Sequence, residues 1–256
     1  MDSLNTFFFS GYPYVVIVVF LLGTIYRYKK KGYQVTSLSA QFLEGKMGFW
    51  GSVPFHWGIL MIFLGHIVAF LLPSAVIAWN SNPTRLLIHE GVNFTFAAAL
   101  VVGLVALILR RLTNPRIKVV TTPMDLFIEF ILLAQALMGC WIALNYRWGS
   151  SWFAADLSPY LWSLITFNPQ PETVIAMPLV VKAHIVAAFS IFLIFPFTRL
   201  VHILVAPFHY IWRPYQVVIW YWDRKRIRQT STAWSESRPR NTRKCIEWIL
   251  GSLILG

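Results

Sequence analysis

The sequence predicts an all-α integral membrane protein, built as a bundle of five transmembrane helices. Hydrophobic residues make up 57% of the chain and charged residues 12%, whereas charged residues are about 25% of a typical soluble domain. Five apolar segments approach the length needed to cross the ~30 Å hydrocarbon core of a bilayer. The basic residues gather beside these segments, so the net charge of +12 indicates membrane topology and no binding to nucleic acid.

Each span is predicted from an apolar run and from the charges that flank it. Basic residues follow the first, third and fifth spans, so the positive-inside rule places those ends in the cytoplasm and the N-terminus in the periplasm. Residues 73–91 and 145–177 are expected to be loops at the outer surface. Residues 1–218 form the predicted membrane domain, and residues 219–256 form a basic cytoplasmic C-terminal extension. The predicted spans are residues 12–26, 54–73, 92–109, 124–144 and 179–207.

Two of these spans carry histidines, which are costly inside a membrane and therefore suggest a function. His56 and His66 lie ten residues apart in the second span, and His184 and His202 lie eighteen apart in the fifth. In an α-helix these spacings give rises of ~15 Å and ~27 Å, and eighteen residues make five whole turns. His184 and His202 are therefore expected on one helix face. The two histidines of one helix lie too far apart to bind the same metal ion. Each helix is therefore expected to contribute one ligand to each of two centres.

The antiparallel direction of the two spans predicts which histidines pair. His66 and His184 fall toward the outside, and His56 and His202 fall toward the cytoplasm. Each pair can supply both axial ligands of a planar macrocycle, with helix tilt absorbing the difference between the two spacings. Haem fits this pattern better than zinc, because a structural zinc ion needs four converging ligands. Two axial histidines favour electron transfer over oxygen chemistry.

A simpler alternative is that each histidine only hydrogen-bonds a neighbouring helix. This alternative is weakened by the presence of two histidines in each span, at depths that allow pairing. Gly58 and Gly65 have two equal interpretations, because small residues admit either a flat macrocycle or another helix.

Four further polar residues near these spans are interpreted from their positions. Arg199 and Arg111 can pair with haem propionates, although positive-inside topology is the simpler explanation of Arg111. Glu129 and Gln135 are expected to find partners within the bundle.

The other two histidines, His89 in the outer loop and His209 near the inner surface, are expected to be solvated or interfacial.

Four fragments resemble the cytochrome b gamma subunit of respiratory nitrate reductase. The resemblance covers about residues 1–218, and it is specific because the ten- and eighteen-residue histidine spacings occur together with the words FPF and RLVH. It implies a bacterial inner-membrane subunit that carries two haem b groups and oxidises ubiquinol or menaquinol at the outer side. The partners it implies are membrane lipid, an iron–sulfur beta subunit, and a molybdenum-containing alpha subunit that reduces nitrate to nitrite. The fragments are MDSLNTFFFSGYPY, FHWGILMIFLGH, RRLTNPR and KAHIVAAFSIFLIFPFTRLVHILVAPFHY.

By position, the resemblance also implies site residues. His66 and His184 match the distal haem ligands, and His56 and His202 match the proximal ones. The quinol site implied beside the distal haem includes Gly65, His66 and Arg85. The family pattern has lysine at the position of Arg85, and arginine keeps the charge with a different hydrogen-bond geometry.

Two other functions stay open from the sequence. One is a related diheme cytochrome b subunit of another quinone-linked complex, heterodisulfide-reductase-like or of sulfur metabolism. The other is a non-redox membrane anchor or transporter, against which stands the lack of an inverted repeat or a broken pair of spans.

Overall fold

The computed structural model of the protein describes residues 2–32 and 46–205. The predicted domain boundary at residue 218, the extension at 219–256 and His209 lie outside the described residues. Within them, five helical segments are long and apolar enough to cross a membrane, and there is no strand. The predicted fold class is therefore confirmed, while the direction of crossing stays a prediction. The five segments are Ser3–Lys30, Gly48–Leu71, Pro83–Thr113, Pro123–Asn145 and Leu179–Phe197.

The described α-helices include short ones that join the long ones. Two π-helical turns, Phe7–Gly11 and Phe153–Leu157, interrupt the series near its start and on the way from the fourth span to the fifth. In chain order the α-helices are α1 (Asp2–Thr6), α2 (Tyr12–Lys31), α3 (Lys46–Leu71), α4 (Pro73–Asn80), α5 (Pro83–Thr113), α6 (Pro115–Val120), α7 (Pro123–Asn145), α8 (Gly149–Trp152), α9 (Ser158–Ile165), α10 (Glu172–Ile175) and α11 (Leu179–Ile194).

Three helices begin with a capping residue followed by proline. Asn82, Asn114 and Thr122 each accept hydrogen bonds from backbone N–H groups of the first turn, and Asp125 completes a capping box with Thr122. Such residues satisfy orphan donors at a helix start, where proline at the first position is well tolerated. Helix α5 therefore begins at Pro83, nine residues before the predicted start. The prediction of a loop at residues 73–91 is wrong.

The predicted outer loop at residues 145–177 is also wrong in part, because short helices fill much of it. Their apolar side chains form a buried cluster with side chains from the spans. Tyr160, for example, is 2% exposed and donates a hydrogen bond to the backbone oxygen of Phe9, at 2.8 Å. The loop prediction failed because helices of four to eight residues are too short to give a clear periodic pattern. The cluster contains Phe9, Ile142, Leu157, Tyr160, Leu164, Val174, Val181 and Ile185.

Glycines bring helices α3 and α5 into backbone contact. A Cβ atom on Gly58 would lie 2.7 Å from the backbone nitrogen of Leu100, and one on Gly103 would lie 2.5 Å from the backbone nitrogen of Phe55. Real Cβ atoms do not approach other atoms so closely, so only glycine fits at these two positions. The contact assigns Gly58 to helix packing and not to a macrocycle. It also fixes the backbone next to His56.

The fifth span is broken, which contradicts the prediction of one continuous helix over residues 179–207. Helix α11 ends at Ile194, and a 3-10 turn follows at Phe195–Phe197. Thr198 then has extended backbone with φ −109° and ψ 176°, before a second 3-10 segment at Arg199–Val205. Pro196 cannot donate an N–H to an α-helical ladder, and its ring disfavours helix continuation. His184 and His202 are therefore not five α-helical turns apart on one face.

The break is held by the end of helix α2. The Arg27 guanidinium donates hydrogen bonds to the backbone oxygens of Pro196 and Thr198, both at 2.6 Å. Gly23 makes room for the contact, since a Cβ there would lie 2.9 Å from Cβ of Pro196. These bonds satisfy carbonyl groups that the broken helix leaves without internal partners, which matters most in an apolar medium.

Pro54, in contrast, lies inside helix α3, which begins eight residues before the predicted start.

Gly103→Ala is expected to destabilise the protein by about 1–3 kcal/mol, because the new methyl group overpacks a backbone contact. The midpoint of thermal unfolding in detergent measures the effect. Gly91→Ala, on the same helix, is the matched control because a Cβ there meets nothing within 4 Å. Equal midpoints for the two variants would contradict the prediction.

Stability is expected to fall as the pH rises above about 10, the ordinary pKa of tyrosine. Burial, aided by the neighbouring Tyr14, raises the pKa of Tyr160. The unfolded chain then loses this proton at a lower pH than the folded chain, so the stabilisation is complete below about pH 10 and declines above it.

Tyr160→Phe should cost about 1 kcal/mol at neutral pH through the lost hydrogen bond, and it should flatten the alkaline decline. Unfolding midpoints measured across the alkaline range, with exposed Tyr28→Phe as the control, test both effects. A decline as steep as that of the wild type would count against this role of Tyr160.

Candidate functional site

His56 of helix α3 and His202 of the second 3-10 segment face each other. Their ring centroids are 6.2 Å apart, and the ring planes are inclined by 65°. Two imidazoles bound to opposite sides of one metal ion by bonds of about 2 Å have ring centres about 6 Å apart. The separation therefore fits a pair of axial ligands on one metal.

Three of the four predicted ligand histidines are oriented by a backbone carbonyl of the preceding turn. In His56, Nδ1 lies 2.7 Å from the backbone oxygen of Ser52. In His66 it lies 2.8 Å from that of Ile62, and in His202 it lies 2.8 Å from that of Arg199. Because a carbonyl only accepts, Nδ1 carries the hydrogen and Nε2 keeps the lone pair. This is the usual arrangement of a metal-binding histidine.

His66 and His184, the predicted second pair, lie toward the ends of α3 and α11 that are next to α9 and the π-helical turn at Phe153–Leu157. The His66 ring packs edge-on against Phe153 with 5.1 Å between ring centroids. Helix α11 packs against α7, and Gly139 of α7 makes room for the imidazole of His184, since a Cβ there would lie 3.3 Å from Cε1.

Gln135 lies one turn before Gly139, on the same face of α7, and contacts His184. Its Nε2 donates to the His184 backbone oxygen at 3.1 Å and lies 3.3 Å from the His184 Nε2. Its Oε1 is buried and has no hydrogen-bond partner among the described residues. The expectation that this side chain is satisfied within the bundle is therefore wrong for its oxygen. In the sequence, the i, i+4 spacing of Gln135 and Gly139 indicates that both residues lie on one face of the helix.

An ionic cluster lies beside the other histidine pair. Asp125 is 3% exposed and contacts Arg199 at 2.9 Å and Arg111 at 3.8 Å, while Arg111 contacts Glu129 at 2.6 Å. The second carboxylate oxygen of Glu129 is buried without a partner among the described residues, so Glu129 is only half satisfied. Sequence reasoning missed Asp125, which joins α7 to the segment that carries His202. Arg111 and Arg199 thus already hold carboxylates, and their contact with propionates stays a prediction.

A second polar network ties the start of α5 to α8. His89 is half-buried, and its Nδ1 donates to Asn80 at 3.1 Å. Asn80 donates to Ser150 at 2.9 Å, and Ser150 donates to Glu90 at 2.5 Å. The expectation of a solvated or interfacial His89 stays a prediction, and the structure adds Asn80 as the hydrogen-bond partner of its imidazole.

Arg85 lies close to this network but not in it. Its guanidinium stacks 5.0 Å from the ring centroid of Trp79. Within the described residues, no hydrogen bond or ring contact joins Arg85 to His66 or to Gly65. A Cβ on Gly65 would meet only the Asn93 side chain, at 3.7 Å, so packing alone does not require glycine there.

One pair of predicted ligands, His56 and His202, comes together in the part described. Across residues 2–32 and 46–205, no three His, Cys, Asp or Glu side chains converge on one point. Pairs are the arrangement expected for axial ligation of a macrocycle, whose own nitrogens complete the coordination.

The family model of the nitrate reductase gamma subunit matches residues 5–221, which include nearly all of the first span, the other four spans and the four predicted ligand histidines. The chain belongs to the nitrate reductase gamma subunit family. The resemblance found in the sequence is therefore confirmed. As a nitrate reductase gamma subunit with five apolar helices, the chain is a multi-pass protein of the bacterial inner membrane and part of an oxidoreductase.

Individual relatives agree with the family model. The chain is 35% identical to the respiratory nitrate reductase 2 gamma chain of Escherichia coli (strain K12), over 85% of this chain and 98% of the relative. It is 33% identical to the nitrate reductase gamma chain of Bacillus subtilis (strain 168), over 80% and 93%. Identity to the respiratory nitrate reductase 1 gamma chain of Escherichia coli (strain K12) is 32%, over 85% and 98%. These matches favour the gamma subunit over the two alternative functions.

Asp125→Asn is expected to destabilise the protein by about 1–3 kcal/mol. Removing one partner of a buried ion pair costs about 3–5 kcal/mol, and the expected value is smaller because the Arg199 side chain is 61% exposed and water screens its charge. Chemical unfolding in detergent measures the change. A double-mutant cycle with Arg199→Gln isolates the pair, and additivity within about 0.5 kcal/mol would show that Asp125 and Arg199 do not interact.

Proposed function

We propose that this chain is the quinol-oxidising, electron-transferring subunit of a respiratory nitrate reductase, with two haem b groups. His66 and His184 hold the distal haem, and His56 and His202 hold the proximal haem. The chain oxidises ubiquinol or menaquinol near the periplasmic side and passes electrons inward. An iron–sulfur beta subunit receives them, and a molybdenum-containing alpha subunit reduces nitrate to nitrite. The opposed rings of His56 and His202, 6.2 Å apart, are the observation that carries this proposal.

The protein residues fit haem in three respects. The ring separation suits two axial ligands, and the Nδ1 hydrogen bonds of His56, His66 and His202 leave Nε2 available. Gly139 provides space beside His184. Haem held by these residues would supply reversible one-electron chemistry.

The chain's own residues contribute binding, orientation and exclusion of water. The carbonyls of Ser52, Ile62 and Arg199 fix the tautomer and the ring orientation of three ligands. The bilayer around the five apolar spans is proposed to give both histidine pairs a low-dielectric medium. Arg199 and Arg111 are proposed to share their charge between the α7 carboxylates and the propionates.

Quinol is proposed to bind near His66, at the side of the bundle where α4, α8 and α9 lie. Oxidation of one quinol releases two electrons and two protons, and the protons leave on the periplasmic side. Gly65, His66 and Arg85 are proposed as contacts of the quinol head group. The guanidinium of Arg85, held over Trp79, offers hydrogen-bond donors to a quinol oxygen.

His66→Leu and His184→Leu are each expected to remove one of the two haems and to reduce quinol-driven nitrate reduction to background. Nitrate reduction driven by an artificial donor on the cytoplasmic side should persist, because it bypasses the quinol site. Reduced-minus-oxidised absorption spectra and haem quantified per chain in the whole complex provide the measurement. His89→Leu is the matched control, since its imidazole binds Asn80 and should leave both haems in place. Quinol activity in the His66 variant would refute the assignment.

A further inference from the structure

Two buried polar atoms without partners belong to residues that touch each other. Four such side-chain atoms occur among the described residues: Thr24 Oγ1, Glu129 Oε2, Gln135 Oε1 and His184 Nδ1. Gln135 and His184 are already in contact through the Gln135 amide nitrogen. An unsatisfied buried polar atom costs about 1–3 kcal/mol. A glutamine oxygen only accepts and an imidazole N–H donates, so these two atoms are complementary.

His184 differs from the other three paired histidines in its Nδ1. In His56, His66 and His202 this atom donates to a backbone carbonyl three or four residues earlier. In His184 it has no partner among the described residues. Metal-binding histidines almost always donate this hydrogen to a carbonyl, a carboxylate or water. His184 therefore needs an acceptor from elsewhere if its Nε2 binds a metal.

We propose that Gln135 is the positioning residue of His184, and that its Oε1 accepts the Nδ1 hydrogen when Nε2 binds haem iron. This inference rests on the proposed function. The amide is anchored, since its Nε2 donates to the His184 backbone oxygen at 3.1 Å. The terminal side-chain torsion of histidine is broad, so a turn of the imidazole about this bond is the movement that would bring Nδ1 to Gln135. Once Nε2 binds iron, it no longer offers a lone pair to the Gln135 amide, and the partner of Gln135 becomes the Nδ1 hydrogen.

The hydrogen bond would change the reduction potential of the distal haem. A hydrogen bond from the second nitrogen makes a ligand imidazole more basic, and a more basic ligand stabilises the ferric form over the ferrous form. The reduction potential of the distal haem is therefore lowered by Gln135. The Nδ1 atoms of His56, His66 and His202 donate to backbone carbonyls. For His184, the proposed acceptor is a side chain.

Gln135→Leu and Gln135→Glu in the whole complex test the inference. Leucine removes the acceptor, so the potential of the distal haem should rise. Glutamate supplies a stronger acceptor, so that potential should fall. Outer-shell partners of metal ligands are worth about 10–100-fold in metal affinity, and a tenfold change in the ratio of ferric to ferrous affinity is about 59 mV for one electron. Redox titration followed by absorbance and by the low-spin electron paramagnetic resonance signals resolves the two haems.

The proximal haem is an internal control, because Gln135 contacts His184 and not the proximal pair. Thr24→Val is the matched control variant, since Thr24 has another unpartnered buried oxygen and should shift neither potential. If the leucine variant loses the distal haem entirely, the glutamate variant decides, and a lowered potential there supports the inference. Two haems per chain with unchanged potentials in both variants would overturn the role of Gln135 and leave the proposed function intact. Wild-type complex without haem would overturn both.

Discussion

The two hydrogen bonds of Arg27 decide where the fifth span turns. A helix that ends leaves its last carbonyl groups without internal partners, and these groups need other donors. Arg27 reaches the oxygens of Pro196 and Thr198 from helix α2, so the chain can leave α-helical geometry at the end of the span. The segment that carries His202 then starts from a fixed point. Asp125 holds Arg199 of the same segment from the side of α7.

Much of the fold follows from composition and local signals. The five spans could be found because apolar length and flanking charge are properties of each segment alone. The capping pair Asn82 and Pro83 is also a local signal, and it marks the start of helix α5. The proximity of His56 to His202 follows from antiparallel spans, since topology restricts which depths can meet.

The remaining features depend on tertiary contacts that no local pattern contains. Pro54 and Pro196 have the same ring and the same missing N–H, yet helix α3 continues through Pro54 and the fifth span breaks at Pro196. The difference is that Arg27 satisfies the broken end. Gln135 offers a similar lesson, because its unpaired oxygen becomes visible only when α7 and α11 are packed together. The break after Ile194 also means that the ~27 Å rise of a continuous helix does not describe the path from His184 to His202.

The glycine contact between α3 and α5 has an evolutionary consequence. A crowded side chain can usually be relieved by a smaller residue opposite, so most interfaces can change through pairs of compensating substitutions. Here the opposing atoms at Gly58 and Gly103 are backbone atoms, which no substitution can shorten. Descendants of this chain can therefore enlarge these residues only by moving the helices apart, and that movement would carry His56 with it. Selection on the histidine site thus acts on positions that never touch its ligands.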